Sequence, residues 1–151
     1  MGQWDFNLRR GNLHLLDIIN KYQGCIIVDS TRRGKRIPDS LSKTVPIWCC
    51  AINRAIIQYR SKHNLPSFLD PEKASQFHSL PSVVSRSEHA QIEERMDGFA
   101  QKLLVSKKKK HFWIGYKRIM WFLNGIIITN EEIYVYIYYI GFKWYQYGIY
   151  I

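Results

Sequence analysis

The chain has 151 residues, 22 of them Lys or Arg against 12 Asp or Glu, for a formal net charge of +10. That length suits one domain with a buried core, and the basic balance favours polyanionic partners such as nucleic acid or phosphorylated substrates. Three cysteines without C-x-x-C spacing (Cys25, Cys49, Cys50) argue against a disulfide framework, and five histidines that never fall three to five residues apart argue against a zinc site.

Cysteine usage of this kind suits a reduced, intracellular protein, and the first 25 residues lack the continuous apolar run of a signal peptide. Residues 7–22 have a helical rhythm, with Leu13, Leu16 and Tyr22 on an apolar stripe beside Leu15, Ile18 and Ile19. Gly24 is a plausible stop, and residues 25–28 (CIIV) are the right composition for a short buried strand. A basic loop follows. Pro46 then suits the first turn of a new helix, in which Trp48, Ile52, Ala55, Ile56 and Tyr59 share a face while Arg54 and Arg60 fall off it. Pro66, Pro71 and Pro81 punctuate a looser stretch in which Asp70-Pro71-Glu72 could open a short helix. Ser85 and Glu88 form a capping-box pattern before Ile92, Met96, Phe99 and Leu103, which predicts one helix with a single apolar face. Gly98 weakens it by about 1 kcal/mol relative to Ala.

The composition changes after Val105. Residues 1–105 and 106–151 each carry a net charge of +5, but 14 of the 22 aromatics lie in the second part. It opens with the lysine run 107–110 and ends IYVYIYYIGFKWYQYGIYI. That ending is long enough to cross a bilayer, but its seven tyrosines make a poor hydrocarbon segment. Alternating Tyr and Ile over 133–138 read as a strand. The residue types are those that A/T-rich codons encode, as in read-through into an intron, so residues 106–151 are taken as an atypical tail, poorly packed against the rest. The expected fold is α/β, few strands flanked by helices.

The loop DSTRRGKRIPDSLSK holds the strongest chemical signal. Asp29 leaves the strand with a carboxylate suited to ribose hydroxyls or a divalent metal. Ser30 and Thr31 add hydroxyls, Gly34 lets backbone approach a ligand, and Arg32, Arg33, Lys35 and Arg36 offer charge-assisted bonds to phosphate. Lys43 and Thr44 could face the same anion, although capping suits Thr44 better. The alternative is a solvated basic turn. Arg9 and Arg10 are RNA-binding candidates together with His14, which shares a helix face with Arg10 if residues 7–22 are one helix. Glu93-Glu94 reads as an exposed face, and no Ser–His–Asp or Cys–His arrangement stands out.

Four stretches resemble one family: GQWDFNLRRGNLHLLDII (2–19), GCIIVDSTRRGKRIPDSLSKTVPIWC (24–49), INRAI (52–56) and SRSEHAQIEERMDGF (85–99). They are similar to the initiator tRNA phosphoribosyl transferases of fungi and plants, over about residues 2–104. The resemblance implies a cytoplasmic enzyme that moves 5-phosphoribosyl from phosphoribosyl diphosphate to a ribose 2′-hydroxyl of initiator methionine tRNA. The added phosphate bars that tRNA from elongation. Asp29 would then hold the donor's ribose or an accompanying Mg²⁺, or take the proton of the attacking hydroxyl. Ser30, Thr31, Arg32, Arg33, Gly34, Lys35, Arg36 and Lys43 would hold phosphate. The resemblance implies no DNA or membrane partner. The family's Cys-Tyr-Phe-Lys-Ser-Thr-Asp-Gly-His-like segment and its domain resembling dual-specificity phosphatases have no counterpart here. The expectation is therefore an N-terminal domain fragment, residues 1–105, whose own activity is open. A non-catalytic basic RNA-binding module is the second reading, and a membrane anchor in 133–151 the third.

Overall fold

The structure is a computed structural model that describes residues 5–22, 24–29, 37–66, 71–106, 119–128 and 134–142. The predicted helix over 7–22 forms in two pieces. Leu8–Arg10 makes one 3-10 turn, capped by Asn7, whose Oδ1 accepts from the Arg9 N–H at 2.9 Å. Asn12 then sits at φ 46°, a left-handed conformation that Asn tolerates better than most residues. Helix α1 (His14–Tyr22) starts after this break and buries Leu16 and Ile19, while Ile18 and Tyr22 from the expected stripe stay exposed.

Strand β1 (Gly24–Asp29) extends the expected run by one residue at each end. Helix α2 (Val45–Lys62) is the centre of the helical body. Pro46 lies in its first turn, where a missing N–H leaves no bond unmade. Ile52, Ala55 and Ile56 are fully buried, with Trp48 and Tyr59 packed at the core's edge, as the sequence pattern predicts. The short helix α3 is Pro71–Ser75. The predicted helix beyond Ser85 also forms in two pieces, α4 (Arg86–Glu93) and α5 (Met96–Val105). Ser85 caps the first, its Oγ accepting the Glu88 N–H at 3.2 Å. Ile92, Met96, Phe99 and Leu103 all enter the core.

This packing corrects one polar expectation, the exposed face read at Glu93, while Glu94 is exposed. Arg54 lies off the α2 stripe in sequence, yet its guanidinium bonds Glu93, the Asp97 carboxylate at 3.0 Å and the Ser75 carbonyl at 2.8 Å. Glu93 is therefore half-buried, and it also accepts the Phe77 N–H at 3.1 Å. It is a junction of α2, α4 and the chain after α3, not part of an exposed face. Arg60 is only 6% exposed and donates to the Pro66 carbonyl from Nε at 2.9 Å and Nη2 at 2.6 Å. A buried guanidinium needs such acceptors, because desolvation without them is costly.

Helices predominate among the described residues, so the α/β class holds only in the broad sense of helices beside a small sheet. Strands β2 (Ile119–Ile128) and β3 (Tyr134–Phe142) come from the aromatic-rich region, and the sheet order is β1-β3-β2. Both pairings are antiparallel, with β1 on β3 from Gly24↔Gly141 to Asp29↔Tyr136. Of the strand expected over 133–138, residues 134–138 lie in β3 and Ile133 lies outside the described residues; the backbone of β3 joins the sheet of β1. Among the described residues no helix is long and apolar enough to cross a membrane.

Candidate functional site

β1 delivers Asp29 at its C-terminal end, half-buried. One carboxylate oxygen, Oδ2, accepts a hydrogen bond from the Ser40 hydroxyl. Ser40 opens a π-helical turn, Ser40–Thr44, that runs directly into α2. Such wide turns are rare and recur at functional sites. Here the Pro38 carbonyl accepts three bonds: Leu41 N–H at 3.1 Å, Ser42 N–H at 3.0 Å and Ser42 Oγ at 3.1 Å. Leu41 and Ser42 are fully buried beneath it, and Ile37 packs on Leu41. Both flanks of the basic loop are therefore anchored, Asp29 by Ser40 and Ile37 by Leu41. Ser30, Thr31, Arg32, Arg33, Gly34, Lys35 and Arg36 lie outside the described residues.

A cavity of about 390 Å³ lies beside this turn. The 3-10 turn and its approach contribute Asp5, Phe6, Asn7 and Arg10. The π-helical turn and the residue before it contribute Asp39, Lys43 and Thr44, α2 adds Ile47 and Trp48, and α5 adds Phe99. Trp48 locks the wall: its indole N–H donates to the Gly11 carbonyl at 2.6 Å, fastening the end of the 3-10 turn to α2. Lys43 bonds Glu88 at 2.7 Å and stands 3.6 Å from Asp39, with its side chain 15% exposed. Asp5 pairs with Lys102, whose hydrogen bond and positive charge hold the Asp5 carboxyl below its usual range.

The structure thus brings Arg10 and Lys43 to one cavity, with Asp29 joined to the same turn through Ser40. Arg9 and His14 are exposed and do not line that cavity. The expected Arg10–His14 helix face does not form, because the break at Asn12 puts Arg10 in the 3-10 turn and His14 at the first position of α1. Thr44 is not a side-chain cap either. It has helical φ and ψ and makes no capping bond, since the π-helical turn already continues into α2.

The thiols are poor nucleophiles. Burial pushes Cys50 up to about 12 and raises Cys49 further. Among the described residues no three His, Cys, Asp or Glu side chains gather to hold a metal ion. A single carboxylate such as Asp29 still fits Mg²⁺ that arrives on substrate phosphates, since that ion commonly uses one or two protein carboxylates and keeps its waters.

Ser40, Asp39, Asp5 and Asn7 were not singled out from the sequence, and Trp48 was assigned to the core. One signal was available. The Asp-Ser pair of 29–30 recurs at 39–40, directly after Pro38, so the basic loop is bracketed by two acid–hydroxyl pairs.

Comparison with known proteins adds identity to this geometry. A family model described as the Rit1 N-terminal domain matches residues 1–137, a span that runs past Val105. The chain is 41% identical over 142 residues to the tRNA A64-2'-O-ribosylphosphate transferase of Saccharomyces cerevisiae, covering 88% of this chain and 26% of that protein. It is 44% identical over 105 residues to an uncharacterized protein of Schizosaccharomyces pombe, covering 70% of this chain and 22% of that protein. The chain spans about a quarter of the length of these curated relatives. No solved structure matches it.

Proposed function

The chain belongs to the Rit1 N-terminal domain family, and from that premise we propose that it forms the donor-binding part of a cytoplasmic tRNA ribosylphosphate transferase. The donor is phosphoribosyl diphosphate and the acceptor is a ribose 2′-hydroxyl of initiator methionine tRNA, which the added phosphate bars from elongation. In the transfer, the 2′-oxygen bonds to C1′ of the donor while the C1′–diphosphate bond breaks. Diphosphate leaves with the bonding electrons, and the hydroxyl proton passes to a base. Arg32, Arg33, Lys35 and Arg36 neutralise the departing diphosphate, where preorganised charge is worth most. Gly34 admits its oxygens close to backbone, and Ser30 and Thr31 donate to them. Mg²⁺ carried on the diphosphate would rest on Asp29 and spread the developing charge.

The observation that carries this reading is the 41% identity over 142 residues with a protein named for 2'-O-ribosylphosphate transfer to tRNA. The anchored acid at the strand end supports it, because strand-to-helix junctions are common phosphate sites in folds that mix helices and strands. Transfer of label from phosphoribosyl diphosphate to initiator tRNA is the test. Labelled tRNA with the chain, and none with Asp29→Ala, is expected. If a folded chain binds tRNA but gives no label and no calorimetric signal with the donor, the donor role is wrong and an RNA-binding module without catalysis remains. In that case Arg32→Ala with Arg33→Ala would lower RNA affinity and flatten its salt dependence.

A further inference from the structure

The cavity between the 3-10 turn and α2 is built unlike a diphosphate site. Its formal charges cancel, Arg10 and Lys43 against Asp5 and Asp39, and Lys43 is further matched by Glu88 at 2.7 Å. A diphosphate there would meet two carboxylates. Three of the six uncharged lining residues are aromatic, Phe6, Trp48 and Phe99, beside Asn7, Thr44 and Ile47, and the Phe6 and Phe99 ring centroids are 6.0 Å apart and tilted. Its volume of about 390 Å³ falls within the range of small-ligand sites, about 300–1,000 Å³. The Trp48 ring, two carboxylates that accept and the Lys43 ammonium that donates together suit a flat heterocycle with mixed polar edges, which leaves the exposed Arg10 for a phosphate. Trp48 is pinned by its bond to Gly11, so the ring is held in place before any ligand arrives.

From this we propose that the cavity takes one unpaired nucleobase of the RNA substrate, with the exposed Arg10 at its phosphate. The proposal rests on the transferase reading and deepens it by separating two sites: the basic loop after Asp29 for the donor, the cavity for an RNA base. A 2′-hydroxyl within an RNA stem is reachable across the wide minor groove. An acceptor in a stem would therefore have no need to leave it, and the cavity anchors a base that is already unstacked, as single-stranded loops are commonly recognised.

Adenosine, guanosine, cytidine and uridine, their 5′-monophosphates and phosphoribosyl diphosphate are titrated into the full chain by calorimetry and saturation-transfer NMR. At least one nucleoside and its monophosphate should bind, with the base protons most strongly saturated. Trp48→Leu should weaken both about ten-fold or more, the usual worth of one stacked base. Arg10→Gln, at an exposed position, should weaken the monophosphate and spare the nucleoside. That variant decides the matter if circular dichroism shows Trp48→Leu unfolded. A stem-loop RNA should displace the monophosphate, and a loopless duplex of the same stem should not. No binding of adenosine, guanosine, cytidine or uridine to a folded chain overturns the proposal. So does a loss of phosphoribosyl diphosphate affinity in Trp48→Leu or Arg10→Gln, which would make the cavity the donor site. A monophosphate that stays bound beside the stem-loop assigns a free nucleotide and overturns the RNA assignment. Failure of the donor alone to bind, with nucleoside binding intact, sinks the transferase reading without touching the nucleobase assignment.

Discussion

The helical body and the site region are held together by different means. α2, α4 and α5 close on Ile52, Ile56, Ile92, Met96 and Leu103, all fully buried, and Arg54 laces their polar side together. The site region has a smaller buried centre, Leu41 and Ser42, and adds to it the pairing of β1 with β3 and three polar tethers: Ser40 to Asp29, Trp48 to Gly11, Lys43 to Glu88. One buried aliphatic side chain, at about 1.5–3 kcal/mol, is worth about two neutral hydrogen bonds at about 0.5–1.5 kcal/mol each. Stability therefore resides in the body, and the positions of the functional groups in the tethers. A site held this way can be misplaced without the protein unfolding.

Substitutions should separate the two regions in order of effect. Ile56→Ala, at a fully buried position, should cost about 2–5 kcal/mol in chemical denaturation. A loss below 1 kcal/mol would show that α2 is not the centre of the body. Glu93→Ala strips Arg54 and the Phe77 N–H of a half-buried acceptor and should cost about 1–3 kcal/mol. Ser85→Ala removes the α4 cap and should cost about 1 kcal/mol. Ser40→Ala should cost the least stability of these, about 1 kcal/mol or less, while reducing label transfer about ten-fold or more through a misplaced Asp29. Equal activity in Ser40→Ala and wild type would break the link between tether and function.

The smallest effect concerns pH. Lys102 holds the exposed Asp5 carboxyl below its ordinary value near 3.8, so that pair adds stability above this pH and loses it as the pH falls through the depressed folded value. The stability curves of wild type and Asp5→Asn should therefore converge in acid. Curves that stay parallel down to complete protonation would show that the ion pair contributes nothing.

Much of the body was legible in the sequence, since period and caps are local. The stripe through Ile52 and Ile56, the cap at Ser85 and the run Cys25-Ile26-Ile27 each declare themselves within one or two turns. The left-handed residue Asn12 did not, because Asn serves equally well inside a loop or at a break. Arg54 falls off the apolar stripe in sequence and its partners are distant, with Glu93 39 residues away. The cavity was illegible for the same reason, its walls coming from three stretches of chain that meet only in the fold. Asp29 could be singled out, but not Ser40, whose importance depends on the wide turn that aims it.

The pairing of β1 with β3 also sets an order of events. Gly24 meets Gly141 and Asp29 meets Tyr136, so the strand bearing the candidate acid waits for a partner made more than a hundred residues later. On the ribosome, α1 to α5 can collapse while that partner is still unsynthesised, since local contacts form early and distant strand pairings late. The helices would thus be in place before the strand beneath Asp29 is clamped, so the edge that bears this carboxylate matures after them.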